Sequence, residues 1–497
     1  MLPKIIVYRT HIEITNYIRW DYPSIEKTFS IYEPNYHKYY DKGKYYDEKN
    51  KVLMLPRGLD IDYLERLTNT KAYFDQSTDP IGDIGKVLLK TIPRNDIQHQ
   101  AINFMLDYNN YTMKSINLNT GVGKTFCAVA TLSYFHMRSI VITSSIDWLN
   151  QWKEKILEYT NIDESEIYFI SGTPSIMKLF HRDISKYKVI LSTHDTLKSY
   201  GDNNGWDKIK ELFQYLEIGI KFYDEAHLNF DNMFMIDCYT NSFFTYYLTA
   251  TPGRSDYTEN NIYNLYFKNI PGIDLYDKSR DAHTSYEAIF YNSNPTSQET
   301  LMCRNKYGLD RNKYTNYVIH KQNFEYLLYI LINDSLNKNG SSLFYIGTNA
   351  AILQIRDWIY EHFPELRNNV GVYTSIIPPE QKKIELNKKI ILSTTKSAGA
   401  CMDINNLVET VNLAEPFKSR ILAQQTLGRT RNRDTVYRDV VDQSFYYLRK
   451  FYEHKRPIFQ KYATECSNIR YTDNTLYDIA KDIMDERSKL EYPFIYD

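Results

Sequence analysis

Short apolar segments alternate with amphipathic segments along most of this 497-residue chain, and this alternation limits the folds available to it. In a first block, apolar runs predict strands at 114–118, 139–144, 167–170, 188–192, 218–223 and 246–249. A second block, from 324 to about 442, predicts strands at 342–346, 370–373, 389–393, 410–413 and 437–441. Strands that alternate with helices form parallel sheets covered on both faces. The sequence therefore predicts an α/β fold with two similar parallel-sheet lobes.

The segments outside the two blocks predict smaller additions. Residues 1–85 are rich in tyrosine and contain short apolar alternations separated by turns, which predicts a small α+β domain. The stretch 260–297 has no strong period, and the last 55 residues are locally basic and predict helices. We therefore expect an N-terminal accessory domain at 1–85, a first lobe at 86–275, a second lobe at 276–445 and a helical extension at 446–497.

A glycine-containing loop follows the first predicted strand and precedes a predicted helix at 126–134. Its sequence runs from Asn119 to Thr125 as NTGVGKT. Glycines in such a loop let backbone N–H groups approach phosphate oxygens, and the helix N-terminus adds donors and a favourable dipole. This pattern predicts nucleotide contacts from Gly121, Val122 and Gly123, with Lys124 on the β and γ phosphates and Thr125 on Mg²⁺. The outer small residue of the full pattern is replaced by Leu118.

An acidic pair follows the strand predicted at 218–223. The residues are Asp224-Glu225-Ala226-His227. Two carboxylates at the end of a buried strand are unfavourable unless a cation or a proton transfer involves them, and open α/β sheets bind ligands at this edge. We expect Asp224 to hold Mg²⁺, largely through water, and Glu225 to orient and deprotonate the attacking water.

The order of these motifs resembles that of superfamily 2 helicases and translocases of the DEAH type. The loop GVGKT is followed by DEAH and then by LTATP at 248–252. Later segments are similar to further motifs of that family: SSIDWLNQW at 144–152, LSTHDTL at 191–197, LFYIGT at 343–348, STTKSAGACMDINNL at 393–407 and QQTLGRTRNR at 424–433. The resemblance covers about 90 to 440. The segment 51–67 ahead of this core is also similar to the N-terminal domain of UvsW-like phage helicases.

The resemblance implies two RecA-like lobes with ATP bound between them. It implies that Gln98 contacts the adenine, that Arg429 is the arginine finger, and that Gln425 and Asp403 contact the nucleotide or its arginines. The usual second arginine is replaced by Asn432, so that either Arg431 or Arg433 takes its place. His227, Thr249 and Thr251 would couple hydrolysis to movement, and Thr193 with Thr394 or Thr395 would contact backbone phosphates without reading bases.

Charge and composition exclude several classes of protein. Sixty basic and sixty-one acidic residues give a net charge of -1, so that any nucleic-acid footprint is local. We find no apolar run long enough to span a membrane and no signal peptide, which predicts a cytoplasmic protein. The five cysteines are widely spaced, as in a reduced compartment. Forty-six tyrosines are typical of an A+T-biased genome. Together with the compact arrangement of the helicase motifs in a single chain, they favour a phage or viral source.

The sequence therefore predicts an ATP- and Mg-dependent DNA helicase or translocase that unwinds or remodels DNA. An RNA helicase with the same core is the first alternative, because contacts to the 2′-hydroxyl cannot be located from sequence. A nucleic-acid-binding scaffold without turnover is the second, supported by Leu118 and Asn432 and opposed by intact Lys124, Asp224, Glu225 and Arg429. Tyrosines within 1–85 would either stack on bases or pack in a core. Protein partners are not predicted.

Overall fold

The computed structural model of the protein describes residues 3–33, 38–108, 112–119, 121–249, 257–275, 284–306, 308–398, 404, 406–427 and 435–491. The chain divides into two compact units, Met1–Tyr276 and Asp277–Asp497. The first unit contains an N-terminal sheet domain and the first lobe, and the second unit contains the second lobe.

Among the described residues, the N-terminal domain contains a small sheet and two short helices. Its elements are β1 (Lys4–Val7), β2 (His11–Thr15), α1 (Pro23–Thr28), β3 (Ser30–Glu33), β4 (Lys38–Asp41), β5 (Tyr45–Asp47), β6 (Val52–Pro56), α2 (Ile61–Thr68) and β7 (Ala72–Phe74). Five of these strands form one sheet in the order β5-β6-β2-β1-β7, in which only the β1–β7 pair is parallel. The predicted α+β domain is confirmed.

The first lobe is built on a parallel sheet. Its elements are α3 (Asp96–Leu106), β8 (Met113–Asn117), α4 (Lys124–Phe135), β9 (Ser139–Thr143), α5 (Ile146–Tyr159), β10 (Ile167–Ile170), α6 (Thr173–Leu179), β11 (Val189–Thr193), α7 (His194–Asn204), α8 (Asp207–Tyr215), β12 (Ile220–Asp224), α9 (Phe230–Tyr239), β13 (Phe244–Thr249), α10 (Tyr257–Phe267) and β14 (Gly272–Asp274). The strand order is β10-β11-β9-β12-β13-β8-β14, with every pair parallel.

Both faces of this sheet are buried. Along β9, Ile140 and Ile142 belong to one hydrophobic cluster and Val141 belongs to another on the opposite face. The cluster that contains Ile140 continues without a break into Ile12 and Leu53 of the N-terminal sheet. The N-terminal domain and the first lobe therefore share one core, which fixes them as a single unit.

The second unit repeats the parallel design. Its elements are β15 (Thr284–Tyr291), α11 (Ser297–Met302), β16 (Arg304–Asn305), β17 (Gly308–Leu309), α12 (Arg311–Val318), α13 (Gln322–Leu336), β18 (Ser341–Ile346), α14 (Asn349–His362), β19 (Val370–Tyr373), α15 (Pro379–Glu385), β20 (Ile390–Ser393), α16 (Thr395–Ala398), β21 (Leu407–Ala414), α17 (Arg420–Leu427), β22 (Thr435–Asp442), α18 (Tyr446–Tyr462), β23 (Cys466–Arg470) and α19 (Asp473–Glu491). The sheet order is β19-β20-β18-β21-β22-β15-β23, again parallel throughout. Tandem RecA-like lobes are thereby confirmed.

Two strands of the second sheet lie where the sequence pattern predicts none. β15 falls in the stretch without a clear period and pairs with both β22 and β23. β23 interrupts the segment predicted as helical, between α18 and α19. Polar residues break the apolar pattern of both strands, and their pairing comes from neighbours far along the chain. Among the described residues, no helix is long and apolar enough to cross a membrane.

Candidate active site

The loop between β8 and α4 has the backbone conformation that a phosphate-binding loop requires. Gly121 and Gly123 have φ values of +85° and +108°, which L side chains rarely adopt. A Cβ at Gly123 would lie 2.5 Å from Nε2 of Gln98. Gly123 caps α4, so that the free N–H groups of the helix start directly after the loop.

Gln98 supports this loop from α3. Its side chain is fully buried, and Nε2 donates to the carbonyl of Val122 at 2.7 Å. Its Oε1 accepts from the backbone N–H of Arg94 at 2.7 Å. The structure thus places Gln98 against the loop, and its predicted contact with adenine stays a prediction.

The acidic pair lies at the same edge of the sheet as the loop. β12, which ends at Asp224, is separated from β8 by β13 alone, and all three strands are parallel. Glu225 follows with a φ of +48°, an uncommon conformation for a residue with a Cβ. Its Oε1 lies 3.0 Å from Nζ of Lys124, and both side chains are largely buried. Lys124 of the loop and Glu225 of the acidic pair are therefore in direct contact, although they lie 101 positions apart in the sequence.

Asp224 is held by two donors. Nε1 of Trp152 donates to Oδ2 at 2.8 Å, and the backbone N–H of Glu225 donates to Oδ1 at 3.0 Å. Burial, followed by the charge of Glu225, raises the pKa of Asp224 to about 6, while Lys124 and Trp152 oppose this rise. The sequence singles out Trp152 only as part of the segment SSIDWLNQW, since nothing local indicates a partner 72 residues away.

His227 connects the acidic pair to the end of β13. Its Nδ1 lies 2.9 Å from Oγ1 of Thr249 and 3.4 Å from Oε2 of Glu225. All three side chains are buried. The structure therefore brings together two of the three residues predicted to couple hydrolysis to movement, and the third, Thr251, lies outside the described residues.

The threonines predicted to contact nucleic acid cap helices. Oγ1 of Thr193 accepts from the N–H of Thr196 at 3.2 Å at the start of α7. Oγ1 of Thr394 accepts from the N–H of Ser397 at 3.1 Å. These bonds are the local reason for the positions of both hydroxyls, and the phosphate contact stays a prediction.

Thr395 is held by a residue that the sequence reading did not single out. Its backbone N–H and its hydroxyl donate to the two carboxylate oxygens of Glu415, at 2.6 and 2.5 Å. Burial raises the pKa of Glu415 to about 7 against these hydrogen bonds and against Arg311. The only signal in the sequence is an acidic residue directly after β21, at the edge where β20 also ends.

Several predicted residues of the second lobe lie outside the described residues, namely Asp403, Arg429, Arg431 and Arg433. Gln425 lies on α17 and is half-buried. The structure therefore describes the first-lobe residues of the candidate site, apart from Thr251, and gives no geometry for the predicted arginines.

The donor set at the sheet edge fits Mg²⁺. In the described part of the chain, no group of three or more His, Cys, Asp or Glu side chains forms a metal cage. Mg²⁺ in nucleotide sites needs few protein ligands, because phosphates and water supply the rest. The buried carboxylates of Asp224 and Glu225 face a single ammonium from Lys124, which leaves an excess of negative charge for a divalent cation to balance.

A phosphate-binding loop and an acidic strand end on a parallel sheet define a P-loop nucleotide-binding lobe. Residues 91–254 match the family described as Type III restriction enzyme, res subunit. Over 148 residues the chain is 28% identical to the DNA 3'-5' helicase XPB of Mycobacterium tuberculosis, an alignment that covers 30% of this chain and 25% of that protein. The chain thus spans about a quarter of the length of this curated relative.

A solved structure shows the same fold. S. cerevisiae Dbp5 bound to RNA and ADP BeF3 is similar with a TM-score of 0.52 at 14% identity, covering 78% of this chain and 93% of that one. T4 UvsW aligns over 95% of this chain and 100% of its own, with a TM-score of 0.38 and 14% identity. The motif order and the matched family make the chain similar to superfamily 2 helicases, and the likeness to Dbp5 shows the two-lobed fold.

Proposed function

We propose that this protein is a nucleic-acid-dependent ATPase of the DEAH type that translocates on DNA and unwinds or remodels it, in a phage or viral replication or recombination system. The observation that carries the proposal is the contact of Lys124 with Glu225 at the edge where β8 and β12 end. This contact brings a candidate phosphate-binding cation, Lys124, and a candidate general base, Glu225, together in a buried site. The similarity to an enzyme described as a DNA 3'-5' helicase supports DNA as the partner.

The residues of the first lobe have separate tasks in ATP hydrolysis. Backbone N–H groups of the loop and of α4 bind phosphate oxygens, and Lys124 moves from Glu225 to the β and γ phosphates when ATP enters. The carboxylate of Glu225, released from that ion pair, orients a water molecule and accepts its proton. Thr125, and Asp224 through water, would hold Mg²⁺, which would supply positive charge beside the phosphates.

The second lobe contributes cations and contacts to the nucleic acid. Arginine is always protonated and binds phosphate in a bidentate manner, which suits Arg429 as the finger and Arg431 or Arg433 as the second contact. Gln425 would orient these groups. The coupling path runs from Glu225 through His227 to Thr249, which are joined by buried contacts.

The proposal is tested by ATP hydrolysis of the wild type and of Glu225→Gln. Each is assayed with no polymer, single-stranded DNA, duplex DNA, forked DNA and RNA at one salt concentration, because phosphate contacts make binding salt-dependent. We expect stimulation by DNA, strongest with forked DNA, and a loss of about 100-fold or more in Glu225→Gln, since general-base catalysis contributes about 10²–10⁴-fold.

The same assay decides among the alternatives. Stimulation by RNA alone would identify an RNA helicase, and the absence of turnover with every polymer would leave a binding scaffold. Binding of a fluorescent ATP analogue by Glu225→Gln is the control, because the variant keeps Lys124 and the loop and so should bind nucleotide normally.

A further inference from the structure

A cleft on the N-terminal domain, far along the chain from the ATPase motifs, has an unusual lining. It encloses about 910 Å³ beside the turn at Arg19–Asp21, and its walls include Arg19, Trp20, Lys27, Tyr39, Tyr46 and Lys51. We refer to these residues as the N-terminal cleft. This volume is at the upper end of the range for pockets that hold small ligands.

The aromatic side chains of this cleft are exposed to an extent that folding does not explain. Trp20 is 91% exposed and Tyr39 is 68% exposed, and the neighbouring Ile18 is 47% exposed. The other four tryptophans of the chain are buried or half-buried. Exposed apolar side chains that adjoin one another in a cleft indicate a binding surface, because they add nothing to the core.

The floor of the cleft is fixed by polar and ring contacts. The guanidinium of Arg19 lies 5.6 Å from the ring centre of Tyr46 and donates to Glu26 at 2.8 Å. The buried ammonium of Lys44 also pairs with Glu26, at 2.5 Å. Tyr17 packs edge-on against Tyr46 with ring centres 5.8 Å apart. The floor of the cleft is therefore held in one arrangement without a ligand.

The charge at the rim favours an anionic ligand. Glu26 and Asp41 are paired with Arg19 and Lys44, which cancels those four charges. Among the described residues that line the cleft, two further exposed lysines, Lys27 and Lys51, outnumber one exposed carboxylate, Glu48. Aromatic rings beside cations are the combination that binds unpaired bases together with their phosphates.

We propose that the N-terminal cleft binds unpaired nucleotides of a single DNA strand, with bases stacked on Trp20 and Tyr39 and phosphates beside Lys27 and Lys51. The choice of DNA rests on the proposed function. Bases in a duplex are already stacked on one another, so that a duplex offers the rings no free base face. An apolar peptide would use the rings but not the two lysines.

The test measures binding of (dT)12 to the full-length protein without ATP, by anisotropy of the labelled strand and by quenching of tryptophan fluorescence. Stacking contributes enough per base that Trp20→Ala and Tyr39→Ala should each weaken binding roughly 5- to 100-fold. Trp20→Phe should restore most of the affinity, because phenylalanine keeps a ring. Tyr63→Ala, which removes a 44% exposed aromatic from α2 of the same domain, is the matched control and should bind as the wild type does.

The lysines are tested by salt dependence. For single strands, the slope of log K against log salt changes by about 0.7 for each phosphate contact. The double variant Lys27→Gln with Lys51→Gln should therefore reduce the magnitude of this slope by about 1.4. An unchanged slope would remove the phosphate contacts from the proposal.

Other outcomes overturn the assignment. If Trp20→Ala binds (dT)12 as tightly as the wild type does, stacking of unpaired bases in the cleft is excluded. It is also excluded if Trp20→Ala weakens binding of a 12-base-pair duplex as much as it weakens binding of (dT)12. Tighter binding of (U)12 than of (dT)12 would overturn the assignment to DNA. Failure here is distinct from failure of the motor, because binding of (dT)12 without ATP tests the cleft, whereas ATP hydrolysis by the wild type and by Glu225→Gln tests the motor.

Discussion

At the scale of single residues, the candidate site depends on one uncommon backbone conformation. Glu225 has a φ of +48°, and this turn directs its carboxylate back toward Lys124 in the loop. Residues with a Cβ reach this region at a cost of about 1–2 kcal/mol, which the surrounding structure has to offset. Backbone hydrogen bonds of Glu225 with Asp224 and Leu228 contribute to holding it, together with the ion pair with Lys124 and the contact with His227.

Trp152→Phe tests whether the indole positions Asp224. The variant removes the 2.8 Å hydrogen bond that opposes the rise in the pKa of Asp224. A hydrogen bond to a charged group contributes about 1.5–3 kcal/mol, so that kcat/KM for ATP should fall about tenfold or more. The acidic limb of the pH profile of kcat/KM, which reports the free enzyme, should move to higher pH. Trp148→Phe, one turn earlier on α5, should leave the profile unchanged.

Glu415 makes the stability of the second unit depend on pH. Its pKa in the folded protein is about 7, above the ordinary value of 4.5, so that it binds a proton more readily when folded. The stabilisation from this proton is complete below pH 4.5 and is lost as the pH rises through about 7. The Tm of the wild type minus that of Glu415→Gln should therefore decrease from pH 5 to pH 8. A difference that stays constant over this range would contradict the assignment.

At the scale of secondary-structure elements, each unit contains a fully buried carboxylate surrounded by donors. In the first unit, Asp237 on α9 accepts from Lys221 at 2.5 Å and from Tyr223 at 2.8 Å, and also from Tyr247 and Tyr266 at 2.6 and 2.8 Å. In the second unit, Glu409 on β21 accepts from two serines and pairs with Arg438 at 3.1 Å. Such networks fix the register between strands and helices because every donor has its partner in one arrangement.

Lys221→Met tests the network of the first unit. The variant leaves the carboxylate of Asp237 buried without its cation, which is expected to cost about 3–5 kcal/mol. The Tm of the first unit should fall by roughly 6–20 °C, since 1 kcal/mol shifts the Tm of a unit of this size by about 2–4 °C. The second substitution Asp237→Asn should restore part of the loss.

The control for this experiment is Lys208→Met. Lys208 pairs with Glu211 on the surface of α8, where both side chains are about half exposed. An exposed pair contributes about 0–1 kcal/mol, so that the Tm should change by no more than a few degrees. A similar loss in both lysine variants would show that burial of the pair is not the cause.

At the scale of the whole molecule, the two units have separate cores. The clusters of the first unit draw their buried residues from Ile5 to Ile270, and those of the second draw theirs from 286 onward. The predicted nucleotide residues are divided between the units, with the loop and the acids in the first and the arginines in the second. Binding and hydrolysis of ATP should therefore be separable.

A fragment of residues 1–276 tests this division. Because its core is complete, the fragment should fold, melt cooperatively and bind a fluorescent ATP analogue with an affinity similar to that of Glu225→Gln. Hydrolysis should be at least about 10³-fold slower than in the full-length protein, since an arginine finger contributes about 10³–10⁵-fold. In the full-length chain, Arg429→Ala should show the same loss. Full activity of the fragment would exclude a catalytic role for the second unit.

Local sequence patterns were sufficient to predict the two-lobed fold, the loop and the acidic pair. Each of these depends on a local pattern: a run of apolar residues, glycines before a helix, or carboxylates after a strand. The strands of both sheets could be located in this way except β14, β15 and β23, whose pairing depends on partners such as β8 and β22 rather than on their own periodicity.

The contacts between distant side chains became visible in the three-dimensional fold. The structure shows that Trp152 donates a hydrogen bond to Asp224, 72 residues away. It also shows that Glu415, which follows β21, accepts hydrogen bonds from Thr395, which follows β20. It also separated the tyrosines of residues 1–85 into buried residues such as Tyr17 and exposed residues such as Tyr39, a distinction that composition could not make. The physical reason is that hydrogen bonds and burial depend on position in space, and packing between elements sets that position.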